Sequence, residues 1–295
     1  ICRLNKKEDV HKEENWSMAN PSLPYLPDLL METRREYREW LENPGRLPAF
    51  MSKRMNLPEQ AKETAVTEWE NIKATNTELP DMKGWQCTCG IDYMKVTDFA
   101  SVNLHFKKGE ERFDINHSWI CSHSKDLPRI KAPWQQWVKE GRITYIDDVE
   151  IHPSIITDYI FEMGKQYNIK MMLLDNFRFT LLSDALAKIG FRTEAGNLRL
   201  ISQMDILRIV PVIDHCFANQ YFCWGDNPVL RWSVNNTKLV PYGKKAGIDR
   251  GSFVYAKIEA KSRKNDPFMA LVASMIGEGE IKEYVPLTDK TPLVL

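Results

Sequence analysis

The chain has 295 residues, of which 43% are hydrophobic and 11% aromatic, enough to bury a full core and to form one large domain with an appendage. Forty basic and forty acidic residues cancel, so no global field marks a polyanion binder, and a nucleic-acid site must rest on local clustering. No apolar run reaches the roughly 18 residues of a membrane span and no signal-peptide pattern opens the chain, so the sequence reads as cytoplasmic, with no membrane partner.

Six cysteines (Cys2, Cys87, Cys89, Cys121, Cys216 and Cys223) are few and irregularly spaced, which favours free thiols over a disulfide framework. Cys87 and Cys89 have the look of half a zinc site. In a strand, however, they simply share one face, and no second pair follows.

In chain order, Lys6 to Glu14 is charged without an apolar rhythm, and with Ile1 at the start the chain reads as a piece of something longer. Asn20 to Trp40 carries proline punctuation and then Leu29, Leu30, Tyr37 and Trp40 at near-helical spacing, which predicts a short amphipathic helix. Arg46 to Leu57 is expected to add a strand. Pro58 to Pro80, polar with few aliphatics apart from Trp69, reads as a linker.

From Trp85 the pattern changes. Strands are expected at WQCTCGIDY, Ala100 to Phe106 and Phe113 to Ile120, forming a three-strand antiparallel meander turned at Lys107 to Glu110. A helix near Trp134 to Gly141, a short strand at Ile143 to Ile146 and a helix from Pro153 to Tyr167 follow. KMMLLD, residues 170–175, is too short and uniformly apolar for a surface helix and reads as a buried central strand. Next come a helix at Leu181 to Ile189, a strand at Leu198 to Ile201 and a helix at Met204 to Ala218. Lys238 to Tyr242 and Ser252 to Glu259 flank a basic hairpin tip, and Asn265 and Asp266 are expected to cap a last helix ending at Gly277. The sum is a mixed α/β sheet covered on both faces.

Three aspartates stand out. Asp92 lies within the apolar strand GIDY, beside a glycine that leaves room for close approach; Asp175 ends a strand, where open α/β sheets collect ligands; Asp266 opens the last helix. An ionised carboxylate in an apolar run is costly to desolvate unless a partner or a metal compensates, and a hard cation prefers oxygen ligands. Each residue has a plainer reading as well: Asp92 as a buried carboxylate satisfied by donors or an arginine, Asp175 and Asp266 as helix caps. Jointly they point to a phosphodiesterase in which two divalent cations, Mg2+ or Mn2+, bind the scissile phosphate. Asp98 reads either as an auxiliary ligand or as a turn cap.

The one strong basic cluster surrounds the hairpin and Asp266: Lys238, Lys244, Lys245, Arg250, Lys257, Lys261, Arg263 and Lys264. Of these, Lys244, Lys245, Arg250, Lys261, Arg263 and Lys264 are the expected phosphate contacts, although Lys244 and Lys245 equally suit a solvated tip. Asp147, Asp148 and Glu150 form a rival acidic group in a polar turn. His117 and His123 have no metal-ligand spacing to another histidine.

At GIDYMKVTDFAS, LLDNFRF, WGDNP followed by RWSVNNTKLVP, and KSRKNDPFMA, the chain resembles the large terminase subunit of tailed bacteriophages and prophages, from about Trp85 to Ile281. The resemblance implies an RNase H-like fold and a two-metal endonuclease that cuts concatemeric viral double-stranded DNA as packaging starts and stops. On it, Asp92, Asp175 and Asp266 match the metal-binding aspartates, Asp98 matches a nearby acidic position, and the implied partners are DNA, the small terminase subunit, the portal protein and an accessory phage nuclease. The implied setting is the cytoplasm of the bacterial host and, transiently, the procapsid portal. The family also carries an ATPase motor, but no G-x-x-x-x-G-K-[ST] occurs here, so no ATP site is expected. Residues 1–57, with NWSMANPSLPYLP and AFMSKRMNL, resemble only the end of that motor; 58–83 is then a linker, 84–283 the nuclease domain and 284–295 a tail. The competing readings are another RNase H-like enzyme, a transposase or resolvase, and a non-catalytic DNA-gripping or portal-docking module.

Overall fold

The computed structural model describes residues 2–42, 48–57, 65–242 and 252–282. The chain divides into two compact units, residues 1–65 and 66–295. In the first, α1 (Trp16–Ala19), α2 (Pro27–Glu42) and α3 (Pro48–Lys53) surround Leu4, Val10, Trp16, Trp40, Phe50, Met51 and Met55. The expected strand between 46 and 57 is a helix instead. Phe50 and Met51 of the helix, with Met55 just beyond its end, bury into one core, and Pro48 suits a helix start better than a ladder. Arg54 clamps α3 to α2 through Glu36 at 2.7 Å and Glu32 at 3.1 Å.

The second unit opens with α4 (Trp69–Ala74). Within the stretch expected as linker, Trp69 is exposed while Val66, Ile72 and Met82 are buried in the unit's cores, because three widely spaced apolar residues suffice to dock a polar segment. β1 (Gln86–Asp92), β2 (Ala100–Lys108) and β3 (Glu111–Cys121) form the antiparallel meander. α5 (Trp134–Lys139), β4 (Ile143–Ile146), α6 (Pro153–Gly164), β5 (Asn168–Asp175), α7 (Asn176–Lys188), β6 (Leu198–Ile201) and α8 (Gln203–Ala218) follow. β7 (Phe222–Cys223), α9 (Pro228–Asn235), the hairpin strands β8 (Thr237–Pro241) and β9 (Phe253–Lys257), and α10 (Asp266–Ile276) complete the described elements. The strand order is β4-β3-β2-β1-β5-β6, with β7 beside the other end of β3, and β5 runs parallel to β1.

Strand periodicity sorts the two faces. Cys87, Cys89 and Ile91 of β1, Val102 and Leu104 of β2, and Met172 and Leu174 of β5 join Ile156 and Ile160 of α6 and Leu182 and Leu186 of α7 in one core. Both central cysteines are therefore buried core residues with free thiols. The alternate set, Thr88, Gly90 and Asp92 with Ser101 and Asn103, faces α10. That helix is apolar all round, and it lies between the sheet and α8 and α9, where Phe268, Leu271, Val272 and Met275 meet Ile206, Val210, Ile213, Leu230 and Val234. Thr88 donates its hydroxyl to the Ser274 carbonyl at 2.8 Å, and the Asn103 amide reaches the Ser274 hydroxyl at 2.9 Å.

Candidate metal and nuclease site

Asp92 and Asp175 are the last residues of adjacent parallel strands, each two positions beyond the registered pair Gly90 and Leu173. On a sheet with neighbouring strands about 4.8 Å apart, this ends two carboxylates at one lip. Asp266 arrives from the far end of the sequence because α10 packs directly onto β1: a Cβ built on Gly90 would come within 2.0 Å of the Ala270 carbonyl oxygen and 2.4 Å of the Ser274 nitrogen. The room at Gly90 is thus taken by a helix backbone. Asp92, Asp175 and Asp266 line one cavity of about 610 Å³, together with Asn176, Arg178, Ser202, Tyr255, Lys257 and Asn265.

The helix-cap readings separate here. Asp175 is the N-cap of α7, its Oδ1 accepting the Arg178 backbone N–H at 2.8 Å, while it also lines the cavity. Asp266 is the first helical residue and Pro267 the second; the side chain of the preceding Asn265 makes no cap hydrogen bond. The Asp266 carboxylate is fully buried, and its Oδ2 has no hydrogen-bond partner. A buried carboxylate oxygen without a partner is costly unless a ligand completes it.

Two cations interleave with these acids. The Arg178 guanidinium donates from Nε to Asp92 Oδ1 at 2.9 Å and meets Asp175 Oδ2 at 2.8 Å. Lys257 Nζ lies 3.0 Å from Asp266 Oδ1 and 2.9 Å from Asp98 Oδ2. Burial pushes the Asp92 carboxyl up to about 7, Asp266 adds to the rise, and Arg178 and Lys257 oppose it. Asp266 is likewise raised by burial, with Lys257 opposing. Burial works against the charges of Arg178 and Lys257, but their carboxylate partners outweigh it and both are held above their ordinary values.

Asp98 does not line the cavity. It is gripped by Lys257 and by Lys264, whose Nζ lies 2.6 Å from Asp98 Oδ1, and the two lysines overcome its burial and hold it below its ordinary value. The expectation of Lys264 as a phosphate contact is corrected by the same contacts: it is fully buried, and its three protons go to Asp98, Asp126 at 2.6 Å and the Ala260 carbonyl at 3.1 Å. Lys257 also faces acids. Lys261 is exposed and Arg263 half-buried, and neither lines the cavity, whereas Lys244, Lys245 and Arg250 lie outside the described residues. Asp147 and Asp148 are exposed, Glu150 pairs with Lys95 at 3.1 Å, and none of the three lines the cavity. His117 bonds Thr144 at 2.8 Å and also stays outside. Arg178 was not singled out from the sequence, although its place three residues after Asp175 matches an i, i+3 ion pair.

Among the described residues no three potential metal ligands stand in metal-holding geometry. The donor set nonetheless suits a divalent cation: three hard carboxylates line the cavity against two cationic side chains, and one buried carboxylate oxygen is unpartnered.

The family model for the terminase large subunit endonuclease domain matches residues 1–275. The terminase large subunit of Enterobacteria phage HK97 is 20% identical over 248 residues, 81% of this chain and 47% of that protein. The crystal structure of the HK97 large terminase aligns with a TM-score of 0.60 at 19% identity, over 94% of this chain and 56% of that one, so the RNase H-like fold is shared. The large terminase nuclease of the thermophilic phage G20c aligns with a TM-score of 0.46 at 8% identity, over 72% of this chain and 97% of that one. The chain spans about half the length of the HK97 relative. It belongs to the endonuclease-domain family of the terminase large subunit.

Proposed function

We propose that this chain is the endodeoxyribonuclease that cuts concatemeric viral double-stranded DNA during packaging, with Asp92, Asp175 and Asp266 as ligands of two divalent cations, Mg2+ or Mn2+. The observation that carries this reading is the gathering of three carboxylates, distant in sequence, on one cavity, with the buried Asp266 Oδ2 left without a partner. Bound there, the cations would supply Lewis-acid activation of the attacking water and charge stabilisation at the departing 3′ oxygen.

The protein's own contribution is position and charge. Two strand ends fix Asp92 and Asp175, α10 fixes Asp266, and the surrounding apolar core strengthens electrostatic interactions in the cavity. Lys261 and Arg263 suit phosphate contacts that add salt-dependent, sequence-independent affinity. Asp98, locked between Lys257 and Lys264, serves the ligands next to it and leaves direct coordination to the other three. We assign residues 1–57 to the end of the motor domain, place ATP hydrolysis in the full-length protein, and take the small terminase subunit, the portal protein and an accessory phage nuclease as its partners in the host cytoplasm. Among the described residues no helix is long and apolar enough to cross a membrane.

Nicking of supercoiled plasmid in Mg2+ or Mn2+ tests this. Asp92→Asn, Asp175→Asn and Asp266→Asn are each expected to lower the rate by about 100-fold or more while the fold survives. A wild-type rate in any one variant removes that residue from the site. Strand transfer or a preference for four-way junctions would favour a transposase or resolvase instead.

A further inference from the structure

The two cationic side chains of the cavity each bridge carboxylates from separate elements. Arg178 joins Asp92 at the end of β1 to Asp175 at the end of β5; Lys257, ending β9, joins Asp266 at the head of α10 to Asp98 in the loop after β1. A divalent cation bridging carboxylates takes up the same relation at shorter range. Three carboxylates line one cavity, yet no three potential ligands among the described residues stand in metal-holding geometry, and these two side chains hold an oxygen of each of the three.

Lys264 provides the contrast. It is fully buried with three partners, whereas the Arg178 and Lys257 side chains are each 23% exposed and border the open cavity. When Lys257 moves, Asp98 keeps Lys264 as counter-ion, so the departure leaves one uncompensated carboxylate, Asp266, for an incoming cation.

We propose that Arg178 and Lys257 are tethered counter-ions that hold the site carboxylates in the metal-free protein and compete with divalent cations for them, so that metal loading proceeds by displacing these two side chains. This rests on the assignment of Asp92, Asp175 and Asp266 as metal ligands. Carboxylates grouped in a largely buried cavity need compensating charge, and a built-in cation supplies it at the cost of metal affinity. Removing that charge leaves the same oxygens to a dication without a positive neighbour a few ångströms away.

Calorimetric titration of Mn2+ into the whole chain tests the competition, using wild type, Lys257→Met, Arg178→Met and the charge-conserving Lys257→Arg, with melting curves in metal-free solution and in Mn2+. Each Met variant is expected to melt lower without metal, to bind Mn2+ roughly tenfold tighter, and to gain more in Tm on adding Mn2+ than wild type does. Lys257→Arg should stay near wild type. Unchanged or weaker Mn2+ binding in folded Met variants overturns the proposal and leaves the ligand assignment standing. If wild type and variants alike fail to bind Mn2+, the ligand assignment falls with it. Should the Met variants not fold, the wild-type protein with Mn2+ bound decides: Arg178 and Lys257 moved off their carboxylates supports displacement, and both still bridging refutes it.

Discussion

Gly90 and Ala270 are in backbone contact: a Cβ on Gly90 would stand 2.0 Å from the Ala270 carbonyl oxygen. That contact sets the height of α10 above β1 and, through the helix, the place of Asp266 relative to Asp92. The opposing atom is backbone and has no rotamer through which to yield. Gly90→Ala is therefore expected to cost about 3 kcal/mol or more in urea unfolding and to depress nuclease activity. A variant with wild-type stability and activity would show that the helix is free to shift.

At the other end of α10, Glu278 accepts from His105, Lys107 and Arg112, and His105 also meets the buried Asp114 at 2.8 Å. Burial opposes charge on His105, but Asp114 and Glu278 outweigh it and push its pKa up to about 9 from an ordinary 6.5. Its contribution to stability is complete below about pH 6.5 and is lost as pH rises through 9. Glu278 is depressed well below its ordinary 4.5: burial works against its charge, and His105, Lys107 and Arg112 prevail, so its contribution is complete above about pH 4.5 and is lost in acid. Urea midpoints should be highest between these limits and fall toward pH 9. His105→Gln should lose much of the alkaline decline; an unchanged decline would mean that His105 is neutral in the folded protein.

Lys264 and its neighbours Lys261 and Arg263 should behave oppositely on substitution. Lys264→Met strips Asp98 and Asp126 of a buried partner and is expected to destabilise the fold by about 3 kcal/mol. Lys261→Ala and Arg263→Ala should leave stability within about 0.5 kcal/mol, weaken DNA binding and lower the salt slope of log Kd by about one each. Equal loss of stability in all three, with unchanged salt slopes, would remove Lys261 and Arg263 from the DNA surface.

Much of this was legible in the residues themselves. A carboxylate beside glycine in an apolar strand, another at the end of KMMLLD and a third before a proline-led helix are local signals, and strand alternation alone puts Asp92 on the face of Gly90. The partners of charged residues were less legible. RKND reads as a solvated run, and the burial of Lys264 depends on Asp98 and Asp126, 166 and 138 residues away. The pairing of Arg178 with Asp175 is local, but its reach to Asp92 requires two strands to end side by side. The helix of residues 48–53 and the docked segment 65–83 were obscured because few apolar residues signal each, and tertiary packing decided their state.

The most direct measurement is the anomalous scattering of Mn2+ soaked into crystals of the metal-free protein. Peaks in contact with carboxylate oxygens of Asp92, Asp175 and Asp266, lost or weakened in Asp266→Asn, are the expected result. Mn2+ bound elsewhere while these three carboxylates keep only their arginine and lysine partners would contradict a metal-dependent nuclease site in this cavity.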